Sequence, residues 1–216
     1  MPPARPRREQ TQAEEIANSI SHGLGLVAAL VGTPFLITHA VRHGNIGFVV
    51  GVSLFSTTTI FLYLASTIYH ALPPGKAKRV FRVLEHCAIF LLIAGTYTPF
   101  TLGVLHGVWG WVLLSAIWGL ATAGVVLKVF YGASLPILST ALYLFMGWMV
   151  VIAADLLVTK MPTPGLLWLV AGGLSYTVGV IFFAIDSRLQ YAHLIWHLFV
   201  LAGTTCHYFA VLWYAA

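Results

Sequence analysis

Residues 46–70 read IGFVVGVSLFSTTTIFLYLASTIYH. The stretch holds no Asp, Glu, Lys or Arg. It exceeds the roughly 20 predominantly apolar residues that a helix needs to cross a bilayer. Six further apolar blocks flank it, at 18–40, 84–105, 108–128, 135–157, 164–186 and 193–215. Turn chemistry or charge separates them: Arg42-His43-Gly44-Asn45, Pro73-Pro74-Gly75-Lys76, His106-Gly107, Tyr131-Gly132, Met161-Pro162-Thr163-Pro164 and Asp186-Ser187-Arg188. The weakest break lies between the third and fourth blocks, which very few residues separate.

Composition agrees. Of 216 residues, 59% are hydrophobic and 8% charged, with a mean hydropathy of +0.90; an ordinary soluble domain carries roughly 25% charged residues. Too few charges remain to cover a soluble surface. A soluble globular domain, a disordered chain and a nucleic-acid module are thereby excluded. The expected fold is all-α: a polytopic membrane protein, with a tail at 1–17 and one seven-transmembrane domain at 18–216. No soluble domain is inserted and no internal repeat is visible. Gly23, Gly25, Gly172 and Gly173 suit close helix packing. Cys87 and Cys206 fall in apolar blocks and read as buried thiols. Glu9, Glu14 and Glu15 fit a cleavable signal peptide poorly, so the start reads as a short tail.

Orientation follows from lysine and arginine. Alternation of the spans puts Arg5, Arg7, Arg8, Lys76, Lys78, Arg79, Arg82, Lys128 and Arg188 on one side, leaving Arg42 and Lys160 on the other. Nine of the eleven therefore share a side, which the positive-inside rule makes cytoplasmic. The N-terminus is expected inside and the C-terminus outside. The net charge of +5 and pI near 9.4 then reflect basic loops rather than nucleic-acid binding.

Polar residues within the apolar blocks are expensive and are the functional candidates. Ser66 and His70, four apart at the cytoplasmic end of the second span, share a helix face. Glu85 and His86 open the third span, and His193 and His197, again four apart, open the seventh. Ser66, His70, Glu85, His193 and His197 thus converge from three helices on one shallow cytoplasmic layer. Two imidazoles at i and i+4 aim at one point, as on a metal-binding helix, and a third from a neighbouring helix would complete a three-histidine set. Zinc with three protein ligands keeps an open position for water and lowers the pKa of that water to about 7. A nearby carboxylate can then serve as base, and a serine can orient water or stabilise an oxyanion. The alternative is interfacial histidines paired by chance, since HxxxH without the glutamate of H-E-x-x-H is a weak motif. In that alternative Glu85 answers Arg82 or a neighbouring lysine, and Ser66 bonds the carbonyl one turn back.

Other polar residues rank lower. Ser21 and His22 read as satisfied interface polars, with support of the cluster as their alternative. His86 points about 100° away from Glu85 and is expected to face a neighbour. His207 lies about 15 Å beyond His197 along the axis, too far to share a metal. Asp186 has Arg188 or His193 as candidate partners, Asp155 sits near the outer end of the fifth span, and the alternative for either is simply to reach the headgroup region. Tyr97 and Pro99 in G-T-Y-T-P predict a kinked third span, with Thr96 or Thr98 partly answering the freed carbonyl.

Several stretches together resemble the haemolysin III proteins, the bacterial branch of the progestin and adiponectin receptor family, related to alkaline ceramidases. They are N-S-I-S-H-G from residue 18, S-T-I-Y-H at 66–70, L-E-H-C-A-I-F-L-L-I-A-G-T-Y-T-P-F at 84–100 and H-L-I-W-H-L-F at 193–199. The resemblance covers essentially the whole chain. It implies seven helices with the N-terminus inside, in a cell membrane and specifically the bacterial inner membrane. It implies zinc held by His70, His193 and His197, with the family's serine at Ser66 and its carboxylate at Glu85. That carboxylate is usually aspartate, and the extra methylene moves it about 1.5 Å. The implied activity is hydrolysis of a lipid amide, the implied partners are membrane lipids and such a substrate, and nucleic acid is not among them. The competing class is a non-enzymatic protein with structural zinc, serving lipid homeostasis or sensing, or forming a cytolytic pore. Polar residues concentrated in one layer argue against a pore within one monomer. A transporter would need mid-membrane carboxylates, and no convincing one is present.

Overall fold

The computed structural model describes residues 8–216. The expected tail reaches into residues 1–7, Arg5 and Arg7 included, which lie outside the described residues. Among the described residues, seven helical segments are long and apolar enough to cross a membrane. The first is α1 (Gln12–His43), which starts earlier than its apolar block. A capping box sets that start: the Thr11 hydroxyl accepts from Glu14 N–H, and the Glu14 carboxylate accepts from Thr11 N–H. Next come α2 (Ile46–Ala71), capped by Asn45, and α3 (Lys76–Pro99). The α3 helix also starts earlier than expected, because its charged first turns continue the helix beyond the apolar run.

At Pro99 the third span changes character and runs on as a π-helical turn, Phe100–Val104. The hydroxyls of Thr96 and Thr98 donate to the Leu92 and Ala94 carbonyls. Neither answers Gly95, whose carbonyl loses its i+4 donor to Pro99, so the expected threonine compensation does not occur. Beyond it lie α4 (Val108–Tyr131), α5 (Pro136–Trp148), a 3₁₀ turn (Met149–Ala153) and α6 (Ala154–Lys160). Together α5, the turn and α6 make the fifth span. Tyr97 supports this interruption: its hydroxyl lies 2.8 Å from the carbonyls of both Met146 and Gly147, and accepts from Val150 N–H at 2.9 Å. The sixth and seventh spans are α7 (Thr163–Ala184) and α8 (Ala192–Tyr214).

Sequence neighbours pack together through the first four spans, and α8 packs on both α7 and α1. The third span is central, with 72% of its most apolar stretch buried against 11% for α7. Gly51 lets α2 and α3 meet: a Cβ there would lie 2.7 Å from the Pro99 Cα, so only glycine fits. Phe90, Ile117 and Tyr143 belong to the large apolar core of the bundle. A smaller core joins Leu62, Tyr63, Ala88, Leu92, Trp196 and Val200 from α2, α3 and α8. It fixes the three helices that bear the candidate site.

Candidate metal centre

Ser66 and His70 stand on the last two turns of α2, Glu85 on α3, and His193 and His197 on the first two turns of α8. The structure brings all five together. One ligand atom from each of His70, Glu85, His193 and His197 lies within 4.8 Å of the others. His70 Nε2 is 3.6 Å from Glu85 Oε1, so the longer glutamate side chain reaches the cluster. Ser66 is fully buried and donates to Glu85 Oε1 at 2.6 Å, rather than to its own helix. Glu85 meets Ser66 and His70, not Arg82.

The second ring nitrogens decide what this cluster can do. His70 Nδ1 is 2.7 Å from Glu15 Oε2, and His193 Nδ1 is 3.0 Å from Asp186 Oδ2. His197 Nδ1 lies 3.3 Å from the Asn18 carbonyl and 3.0 Å from Ser21 Oγ. Carboxylates and a carbonyl only accept, so each Nδ1 carries the proton and each Nε2 presents its lone pair. The three Nε2 atoms are buried and without a hydrogen-bond partner. Buried polar atoms are nearly always paired, so three converging orphans call for an explanation. A divalent metal supplies one. Carboxylate or carbonyl on Nδ1 with a free Nε2 is the usual arrangement of metal-binding histidine. The residues therefore fit a metal ion, as a three-imidazole set with a carboxylate beside it.

Two residues read from sequence as interface polars are instead part of this assembly. His22 is buried, stacks on His197 with ring centroids 3.5 Å apart, and has Nδ1 2.7 Å from Ser66 Oγ. Since Ser66 donates to Glu85, its oxygen accepts from His22. Ser21 donates to the Asn18 carbonyl at 2.8 Å and receives His197. Glu15 had no assigned role in the sequence reading, although Glu15, Asn18 and His22 stand at i, i+3 and i+7 on one face of α1. Asp186 does pair with His193. His207 stays outside the cluster, with Nε2 3.3 Å from the Leu169 carbonyl.

A small cavity of about 20 Å³, room for about one water molecule, adjoins the cluster. Its wall combines His22, Glu85, His193 and His197 with apolar Leu62, Ile89, Phe183, Trp196 and Val200. His86 lines it too, while the His86 carbonyl accepts from Tyr143 across the bundle.

Fold and site together define a seven-helix membrane protein with a histidine-carboxylate cluster buried near one end of the bundle. Its residues 10–208 match the haemolysin-III related family, and the chain belongs to that family. Hemolysin-3 of Bacillus cereus is 42% identical over 208 residues, which is 96% of this chain and 94% of the relative. The Hemolysin-3 homolog of Bacillus subtilis is 41% identical over 94% of this chain and 95% of its own. Human monocyte to macrophage differentiation factor is 31% identical over 97% of this chain and 87% of its own. These relatives, within the progestin and adiponectin receptor family, agree with the resemblance seen in the four motifs.

Proposed function

We propose that the protein is a zinc-dependent hydrolase of the cell membrane, of the bacterial inner membrane in particular, acting on a lipid amide. The observation that carries this is the trio of buried, unpartnered Nε2 atoms on His70, His193 and His197, each with its Nδ1 anchored. Three neutral nitrogen donors with room for a fourth ligand suit zinc. Zinc held there supplies a Lewis acid and brings the pKa of water in its open position to about 7.

The chain's own residues supply the rest. Glu85 accepts the proton of the attacking water and returns it to the amide nitrogen as the C–N bond breaks, so that the amine leaves neutral and the acid is released. Ser66 directs Glu85 by donating to Oε1, and His22 in turn directs Ser66. The apolar side chains of Leu62, Ile89, Phe183, Trp196 and Val200 line the small cavity and keep bulk water from the cluster. The N-terminus is cytoplasmic and the C-terminus outside, as the positive-inside bias requires, which sets the cluster at the cytoplasmic leaflet.

The test is turnover of a panel of ceramide-like and other lipid amides by purified protein, beside Glu85→Gln and His197→Ala. The proposal expects Glu85→Gln to keep its metal and lose at least about 100-fold in rate, the scale of a general base. His197→Ala should lose both. Turnover by metal-free protein would refute it. Burial of the cluster favours one second reading, a non-enzymatic protein with structural zinc that serves membrane-lipid homeostasis or sensing. That reading expects metal without turnover on any lipid amide.

A further inference from the structure

The first helix contributes no member of the His70–Glu85–His193–His197 cluster, yet it braces every histidine in it. Glu15 Oε2 meets His70 Nδ1 at 2.7 Å. The Asn18 carbonyl and the Ser21 hydroxyl meet His197 Nδ1, and the His22 ring stacks on His197. His193 is reached indirectly. Arg8 holds Glu14 with two contacts of 2.6 Å, and its backbone N–H donates to the Ser187 carbonyl at 3.2 Å. Glu14 Oε1 accepts from Tyr191 N–H at 2.8 Å. These bonds grip both ends of the segment between α7 and α8, and that segment carries Asp186, the partner of His193.

Resting on the reading that this cluster holds a metal, we propose that α1 is the latch of the centre. Glu15 is its positioning residue, and retention of a divalent metal depends on α1 being docked through it. A carboxylate on Nδ1 fixes the tautomer and ring orientation of a liganding histidine and raises the basicity of Nε2. His70 needs this because it stands on the last turn of α2. Lys78 completes the brace. Its Nζ is 3.0 Å from Glu15 Oε1 and donates to the Tyr69 and Leu72 carbonyls, both at 3.1 Å, so it ties Glu15 to the C-terminal end of α2. Linkage is reciprocal: if docked α1 tightens the metal, the metal tightens docked α1.

The test is zinc and Co(II) affinity of full-length protein in detergent, measured by competition with a chromophoric chelator. Glu15→Ala should bind 10- to 100-fold more weakly, the usual effect of losing such a partner. Its Co(II) absorption bands should shift as the His70 ring reorients. Glu15→Gln keeps an acceptor oxygen and should recover most of the affinity. Leu36→Ala, a buried change on α1 outside the cluster, should lower thermal stability and leave affinity unchanged. Hydrogen exchange across residues 8–22 should slow on adding metal to wild type and not to Glu15→Ala. Affinity of Glu15→Ala within twofold of wild type overturns the latch, as does an equal loss in Leu36→Ala. Wild type that binds no metal removes the underlying reading, and the latch falls with it.

Discussion

Ser66→Ala is the most exposing single change, because one hydroxyl links two parts of the cluster. Ser66 is 0% exposed, donates to Glu85 Oε1 at 2.6 Å and accepts from His22 Nδ1 at 2.7 Å. A hydrogen bond to a carboxylate contributes about 1.5–3 kcal/mol and a neutral one about 0.5–1.5. The variant should therefore lose about 2–4.5 kcal/mol, which is the two contributions taken together. Ser53 on the same helix is the control. Its hydroxyl bonds only the Val49 carbonyl one turn back, at 2.8 Å, so Ser53→Ala should stay within about 0.5 kcal/mol of wild type. The assay is reversible unfolding in mixed micelles on metal-free protein, which keeps metal affinity out of the comparison. A double-mutant cycle with His22→Ala should give a coupling of about 0.5–1.5 kcal/mol, the His22–Ser66 bond alone. Equal stability of Ser66→Ala and Ser53→Ala would refute the relay from His22 through Ser66 to Glu85.

Other outcomes follow from the same structure. Gly124→Ala would drive a Cβ into the fully buried Phe90 ring, which packs on Tyr143, whereas at Gly119 nothing lies within 4 Å. Thermal unfolding should find Gly124→Ala destabilised by about 1–3 kcal/mol and Gly119→Ala neutral or slightly stabilised. Tyr97→Phe removes the hydroxyl that serves Met146, Gly147 and Val150. Hydrogen exchange should rise around the 3₁₀ turn of the fifth span and stay unchanged in α8. In cells expressing chains without Cys87 and Cys206, an impermeant maleimide should label His43→Cys from outside and leave Gly75→Cys unlabelled. The reverse pattern would invert the proposed topology.

The seven spans were legible because a lipid-spanning helix writes itself as an uninterrupted apolar run, with charge and turn residues between runs. Helix ends were less so. The α1 and α3 helices continue through polar turns where hydropathy falls silent, although the Thr11–Glu14 capping box was present to be read. The 3₁₀ break in the fifth span has no proline to announce it, and its support comes from Tyr97, about fifty residues earlier in sequence. The four-residue cluster was legible because HxxxH spacing and span alternation place its members in one layer. The brace was not. Glu15, Asn18, Ser21 and His22 resemble the polar opening of any membrane helix, and their meaning depends on α1 lying between α2 and α8. Spacing within one helix carries no information about which helices are its neighbours.

The central claim is that His70, His193 and His197 hold a metal, and elemental analysis tests it most directly. Protein should be purified without chelator, as wild type and as His70→Ala and His197→Ala, with folding verified by thermal unfolding. The account predicts close to one zinc per wild-type chain and a large loss in both variants. Well-folded wild type without metal, or variants that keep a full complement, would contradict it.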